Sequence, residues 1–164
     1  MSIVLYRVDE RLIHGQVVVG WGGELHPNRI VVVDDDLAAS AWEQELYAIG
    51  LPDDLVTTFE SVEQARAHLP DWQKGADRVV VLTRDIATMR RLASAGVMRG
   101  EEVNIGGIHY APGRTAILPY VYLSEAEMVE MDALENVGVR ISARDLPGAR
   151  RIELNEMRKG RLRA

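Results

Sequence analysis

Ile3-Val-Leu-Tyr-Arg-Val8 leads straight into Asp9-Glu-Arg-Leu-Ile-His-Gly-Gln16, and an apolar segment of helical character begins near Val17. The first run is too short for a typical helix and rich in β-branched side chains. It reads as a strand, followed by a polar turn and then a helix. A strand feeding a helix in this way is the opening unit of a mostly parallel sheet covered by helices. The unit recurs along the chain. Arg29 to Asp34, Leu55 to Phe59, Arg78 to Leu82, Val103 to Ile105, Tyr120 to Leu123 and Val137 to Ser142 read as further strands. Leu37 to Ile49, Ser61 to Leu69, Asp85 to Ala95 and Ser124 to Asn136 repeat apolar residues at helical spacing. The expectation is one α/β domain over residues 1–164, an open, twisted, mainly parallel sheet of about seven strands with helices on both faces.

Helix ends are written into the sequence. Ser61-Val-Glu-Gln64 and Ser124-Glu-Ala-Glu127 each place a hydroxyl cap three residues before a side chain that can reach back to it. Gly50, Gly96 and Gly138 stand where a left-handed glycine would close a helix. Asp34-Asp-Asp36 reads chiefly as a strand end feeding a helix cap. Gly106 to Pro119, with three glycines and two prolines, reads as a loop over one edge of the sheet, where α/β domains build their sites.

The 47% apolar content closes a core without disulfides or metal, and the absence of cysteine removes thiolate chemistry and cysteine-type zinc sites. The first residues lack the charged start and apolar run of a secretory signal, and no stretch has the roughly 20 apolar residues of a membrane span, so a cytoplasmic location is expected. The net charge of −6 conceals a basic tail at about 150–164, which reads as a solvated helix end or frayed terminus on a more acidic body. That acidity argues against nucleic acid as a partner. Trp21, Trp42 and Trp72 read as packing residues, and of the remaining histidines only His109 belongs to a loop near the expected site. No metal site is expected.

His14 falls where an open α/β sheet holds its ligands, at the carboxyl end of a strand and the start of a helix whose unpaired N–H groups favour an anion. Arg7 and Arg11 flank Asp9, and an arginine fork grips two oxygens of a phosphoryl group. Nearby cations and the helix start should lower the pKa of His14, keeping a ring nitrogen free as a nucleophile. Asp9 could hold either an arginine fork or the far ring nitrogen, and the sequence leaves both open. A lone histidine at a helix start is as readily a polar residue with no chemistry. Two other motifs fail: Gly15 to Gly20 has P-loop glycine spacing but Trp21-Gly22 where Lys and Ser or Thr are required, and Val33 to Asp36 lacks the lysine of a response-regulator receiver.

Arg7-Val-Asp-Glu-Arg-Leu-Ile-His-Gly-Gln-Val17 resembles the phosphorylation-site signature of the IIB component of the mannose/fructose/sorbose family of the bacterial sugar phosphotransferase system (PTS). Arg29-Ile-Val-Val-Val-Asp-Asp-Asp36, Asn104-Ile-Gly-Gly-Ile-His-Tyr110, Tyr122 to Glu127 and Gly138-Val139 resemble further family segments in order, so the likeness spans nearly the whole chain. It implies a phosphotransferase, of the protein-N(pi)-phosphohistidine–sugar type, that carries phosphate as a transient covalent phosphohistidine and needs no cofactor. His14 would take the phosphoryl group from a phosphohistidine on a separate IIA chain and pass it to sugar held by the membrane components IIC and IID, beside which the protein would work peripherally. The resemblance assigns His14, Arg11 and Asp9 to catalysis, Arg7, Arg11, Gly15 and Gln16 to the phosphate, and Asn104, Gly106 and Gly107 to a neighbouring loop. Glu10 stands where aspartate is common in the family and Ile108 where methionine is common, and Gly22-Gly23 is a place for the first helix to stop early. A regulatory relative that senses sugar status without transport is the alternative, and a homodimer is compatible with either.

Overall fold

The computed structural model describes residues 2–163, with side-chain surroundings given through residue 160. Seven strands form one sheet: β1 (Ile3–Val8), β2 (Arg29–Val33), β3 (Val56–Glu60), β4 (Val79–Thr83), β5 (Glu102–Ile105), β8 (Arg140–Ala143) and β9 (Ile152–Glu153). Their order is β3-β2-β4-β1-β5-β8-β9, and every neighbouring pair is parallel except the terminal β8–β9 pair. Two further strands, β6 (Thr115–Leu118) and β7 (Val121–Leu123), make a separate antiparallel hairpin. The expected α/β class and seven-stranded sheet are therefore observed, with one exchange of members. Tyr120 to Leu123 leaves the main sheet for the hairpin, because Thr115–Leu118, expected as loop, pairs with it. The seventh place goes to Ile152–Glu153 in the basic tail.

One face of the sheet is covered by α4 (Val62–Lys74), α5 (Ile86–Leu92), α6 (Glu125–Asn136) and α7 (Leu154–Arg163), whose inward residues join Val8, Val31, Val81, Val103 and Ile141 in a single apolar cluster. On the other face a π-helix (Gln16–Trp21) continues into α1 (Gly22–Leu25), and α2 (Asp35–Ala38) and α3 (Ala41–Ala48) complete a smaller cluster around Leu12, Val17, Ile30, Val32 and Leu82. Gly22-Gly23 does not stop the first helix; His26, at φ 51°, closes it four residues later. Pro70 does not stop α4 either, since Trp72 packs against the core beyond it. The single helix expected over Leu37 to Ile49 is two, because the Gln44 side chain donates to the carbonyls of Leu37 and Ala38 and so finishes α2. The tail is a helix anchored by buried Leu154 and Met157, not a frayed end, and its last cations lie outside the described side chains. Trp21 and Trp72 pack as expected, whereas Trp42 is 66% exposed on α3.

Both capping boxes form, Ser61 with Gln64 and Ser124 with Glu127, and Asp34 caps α2 by accepting from Leu37 N–H at 2.9 Å. A bulge in β1 has larger consequences. Its register with β4 slips between Ile3 and Leu5, so side-chain parity changes and Tyr6 and Val8 share the face of Ile3. Arg7, and Asp9 beyond the strand end, are thereby placed with the other face.

Candidate active site

The chain leaves β1 in a tight turn, with Asp9 N–H bonded to the Thr83 carbonyl of β4 and Glu10 N–H to the Gly107 carbonyl beyond β5. Leu12 follows at φ 55°, a left-handed conformation uncommon for a leucine, and its full burial holds it there. The reversal brings His14 back over the end of β1, and the π-helix begins two residues later, a helix type frequent at functional sites.

Asp9 is the hub. It has no exposed surface, and its Oδ1 accepts from Arg11 N–H at 3.0 Å and lies 3.4 Å from Arg11 Nε, while Oδ2 accepts from Arg7 Nη2 at 3.1 Å and Gly107 N–H at 3.2 Å. Burial pushes this carboxyl up, but the Arg11 N–H, Arg7, His14 and Gly107 N–H outweigh it and hold it below the ordinary carboxylate range. It is an anion at neutral pH. The His14 Nε2 sits 3.2 Å from Asp9 Oδ2, slightly off hydrogen-bond alignment, and is buried with no other partner among the described residues. The opposite nitrogen, Nδ1, receives the Gln16 backbone N–H at 3.3 Å.

That geometry fixes the tautomer in physical terms. A nitrogen facing a buried carboxylate carries the proton, and one facing an N–H keeps its lone pair. Neutral His14 thus holds its proton on Nε2 and keeps the lone pair of Nδ1 toward the start of the π-helix. Burial lowers the ring's pKa, Asp9 opposes it, and Arg11 and Arg7 add to the lowering. The expected direction is found, with burial, more than the cations, as its main cause.

The two arginines part company. Arg11 is 39% exposed and reaches Gln16 Oε1 with Nη2 at 2.7 Å, across the start of the π-helix. Arg7, expected at the phosphate, has no exposed surface; its Nη1 bonds Asn104 Oδ1 and the Arg144 carbonyl, and its Nη2 bonds Asp9 and the Asp145 carbonyl. It has no open face for a phosphoryl group, which corrects that reading. Asn104, Gly106 and Gly107 all lie against the Arg7–Asp9–Arg11 cluster. A Cβ on Gly106 would lie 2.3 Å from Arg7 Nη2, and one on Gly107 would lie 3.2 Å from Arg11 Nη2 and 3.5 Å from His109 Nε2. A Cβ on Gly15 would meet nothing within 4 Å, so that side of the helix start is open. Glu10 accepts from His109 N–H at 2.9 Å and Arg114 Nη1 at 2.6 Å, tying the 106–119 loop to the turn.

The family model described as "PTS system sorbose subfamily IIB component" matches residues 3–162. The chain belongs to this family. Among related IIB proteins, the fructose-specific EIIB component of Bacillus subtilis is 31% identical over 149 residues, covering 90% of each chain. The N-acetylgalactosamine-specific enzyme IIB component 1 of Escherichia coli is 28% identical over 155 residues, 90% of this chain and 92% of the relative. The crystal structure of the IIBSor domain of the sorbose permease from Klebsiella pneumoniae superposes with a TM-score of 0.85 at 26% identity, covering 97% of this chain and 98% of that one. Phosphoryl carriage in sugar PTS uptake is thus the general activity of the IIB group to which this chain belongs. Sequence reasoning did not find Trp21, whose indole N–H donates to the Asp145 carbonyl at 3.1 Å beside Arg7, or the 144–145 carbonyls themselves: a tryptophan reads as packing, and backbone carbonyls leave no mark in a side-chain pattern.

Proposed function

We propose that His14 Nδ1 accepts a phosphoryl group from a phosphohistidine on a separate IIA protein and passes it to sugar held by the membrane components IIC and IID. The observation that supports this most directly is the orientation of the ring, with Nε2 buried against Asp9 and Nδ1 at the start of the π-helix. In the first transfer the donor's N–P bond breaks as the Nδ1–P bond forms. The proton stays on Nε2, so the phosphorylated ring carries a positive charge that Asp9 neutralises. Arg11, beside the open side at Gly15, faces the phosphoryl oxygens, and the Gln16 N–H, released from Nδ1 as that lone pair bonds phosphorus, turns to them as well; both stabilise their charge. A loose phosphoryl transition state asks for alignment and charge stabilisation and little else. The protein would work in the cytoplasm, beside its permease.

Incubation with phosphoenolpyruvate, the general phosphotransferase proteins and a purified IIA donor tests the reading by intact mass and fragment analysis. One acid-labile phosphoryl group on His14 is expected. Its absence with several active donors overturns the proposal.

A further inference from the structure

Arg7 is a buried cation that the phosphoryl chemistry just described does not use. It links Asp9 to a segment remote in sequence. The 144–149 turn between β8 and β9 supplies the Arg144 carbonyl at 2.8 Å from Nη1 and the Asp145 carbonyl at 3.1 Å from Nη2. Trp21, the last residue of the π-helix that starts beside His14, donates its indole N–H to the same Asp145 carbonyl at 3.1 Å and lays its ring 5.3 Å from the Arg7 guanidinium carbon. The turn is held in place by Arg144 N–H on the Ile105 carbonyl, and Leu146 lies so close to Gly20 that a Cβ there would come within 2.8 Å of it.

We propose that Arg7 is a positioning residue for phosphoryl transfer, and that the 144–145 carbonyls, by fixing Arg7, set how firmly Asp9 holds the His14 ring. This rests on the carrier role proposed above. The argument is one of shared acceptors. Asp9 Oδ2 faces Arg7 Nη2, Gly107 N–H and His14 Nε2 together, so the position and charge of Arg7 determine how much of that oxygen remains for the ring. A buried guanidinium needs its acceptors: with the carbonyls in place it stays where it shares Asp9, and without them it draws Asp9 away from His14. If Arg7 itself is removed, Asp9 loses its fully buried counter-charge and His14 becomes the nearest buried group able to replace it. The imidazolium is then favoured relative to the wild type, and a smaller share of the ring is free as a nucleophile at neutral pH.

The charged groups that act on the ring are Asp9, Arg11 and Arg7 from its own strand and turn; Glu10 is paired with Arg114 and His109 at the 106–119 loop, and Asp145 of the 144–149 turn acts on Arg7. Removing Arg7 alters this set in one sense only, toward a protonated His14. Nitrogen NMR of His14 across pH, in the wild type and in Arg7→Met, Arg7→Lys and Trp21→Phe, reads pKa and tautomer without any donor protein. Arg7→Met should raise the His14 pKa by about one unit. With a IIA donor, its rate at pH 7 should fall about 10- to 100-fold, more through lost alignment of the ring than through protonation, with KM for the donor little changed and the acidic limb of the pH profile moved up by about one unit. Arg7→Lys restores the charge but not the fork, so it should return the pKa while leaving transfer slowed. Trp21→Phe keeps a ring over Arg7 and loses the bond to Asp145; it should slow transfer a few-fold with a small change in tautomer balance.

Should Arg7→Met fail to fold, Arg7→Lys and Trp21→Phe decide. His14 pKa, tautomer and transfer rate all at wild-type values in the folded variants would overturn the inference and reduce Arg7 to a structural residue. A wild type that takes no phosphate would instead refute the carrier reading, and the donor-independent NMR separates the two failures.

Discussion

On the face covered by α4 to α7, a continuous apolar cluster runs across the sheet from Val31 through Val81 and Val103 to Ile141. On the opposite face apolar packing under the π-helix and α3 stops near β1, and Arg7, Asp9, Asn104 and Ser142 take over as the buried residues. The difference lies in what each face loses when a side chain is removed. Apolar burial is non-directional, at about 1.5–3 kcal/mol per large side chain, so a deletion there costs stability locally and leaves the remaining contacts working. A network of shared donors and acceptors is directional, so a deletion misaligns every remaining member. The first face supplies stability; the second trades some of it for a single orientation of one imidazole.

Four measurements would break or sharpen this division. His14→Ala should abolish phosphoryl uptake while the thermal transition is preserved; normal uptake would remove the site from this face altogether. Arg11→Ala comes next. It should slow transfer roughly 100-fold, the size of losing one preorganised charge-stabilising group, with stability changed by less than about 1 kcal/mol because the side chain is more than a third exposed and its ion pair is screened by solvent. Leu69→Ala, in the middle of the apolar face, should lower unfolding free energy by about 2–5 kcal/mol and leave the transfer rate unchanged well below the melting temperature. Denaturant titration beside a rate assay checks both, and a rate loss in Leu69→Ala comparable to that in Arg11→Ala would end the distinction.

The smallest expected effect concerns pH. The His14 pKa is lowered in the folded protein, so below the ordinary histidine value of about 6.5 the unfolded chain binds a proton before the folded one does. Stability therefore falls as pH drops through that value toward the folded pKa, and His14→Ala should flatten the fall. Asp9 acts lower on the scale. Its lowered pKa contributes stability above the ordinary carboxylate value that is lost as pH falls through the folded one. Stability curves from pH 8 to 3 for the wild type and His14→Ala separate the two windows.

Much of the fold was legible because local rules and tertiary packing agreed. β1, β2 and β4 are apolar runs central to a parallel sheet, and the two Ser capping boxes were readable from residues three apart. Agreement failed where partners lie far along the chain. Ile152–Glu153 is too short to signal a strand and exists because β8 leaves an edge to pair with; Thr115–Leu118 looked like loop because its partner makes the ladder.

For the site, the sequence by itself determined the strand, the turn and His14 at a helix start, since these are adjacent residues whose chemistry and spacing carry the information. Only the tertiary structure decided between Arg7 and Arg11. A slip in register between Ile3 and Leu5 and two glycines a hundred residues downstream send one guanidinium into the interior and leave the other at the surface. The same packing set the neighbours of Asp9, whose oxygens face both arginines and the ring at once. Side-chain type is fixed locally, whereas burial and the sharing of a buried oxygen are set by which distant backbone closes over it.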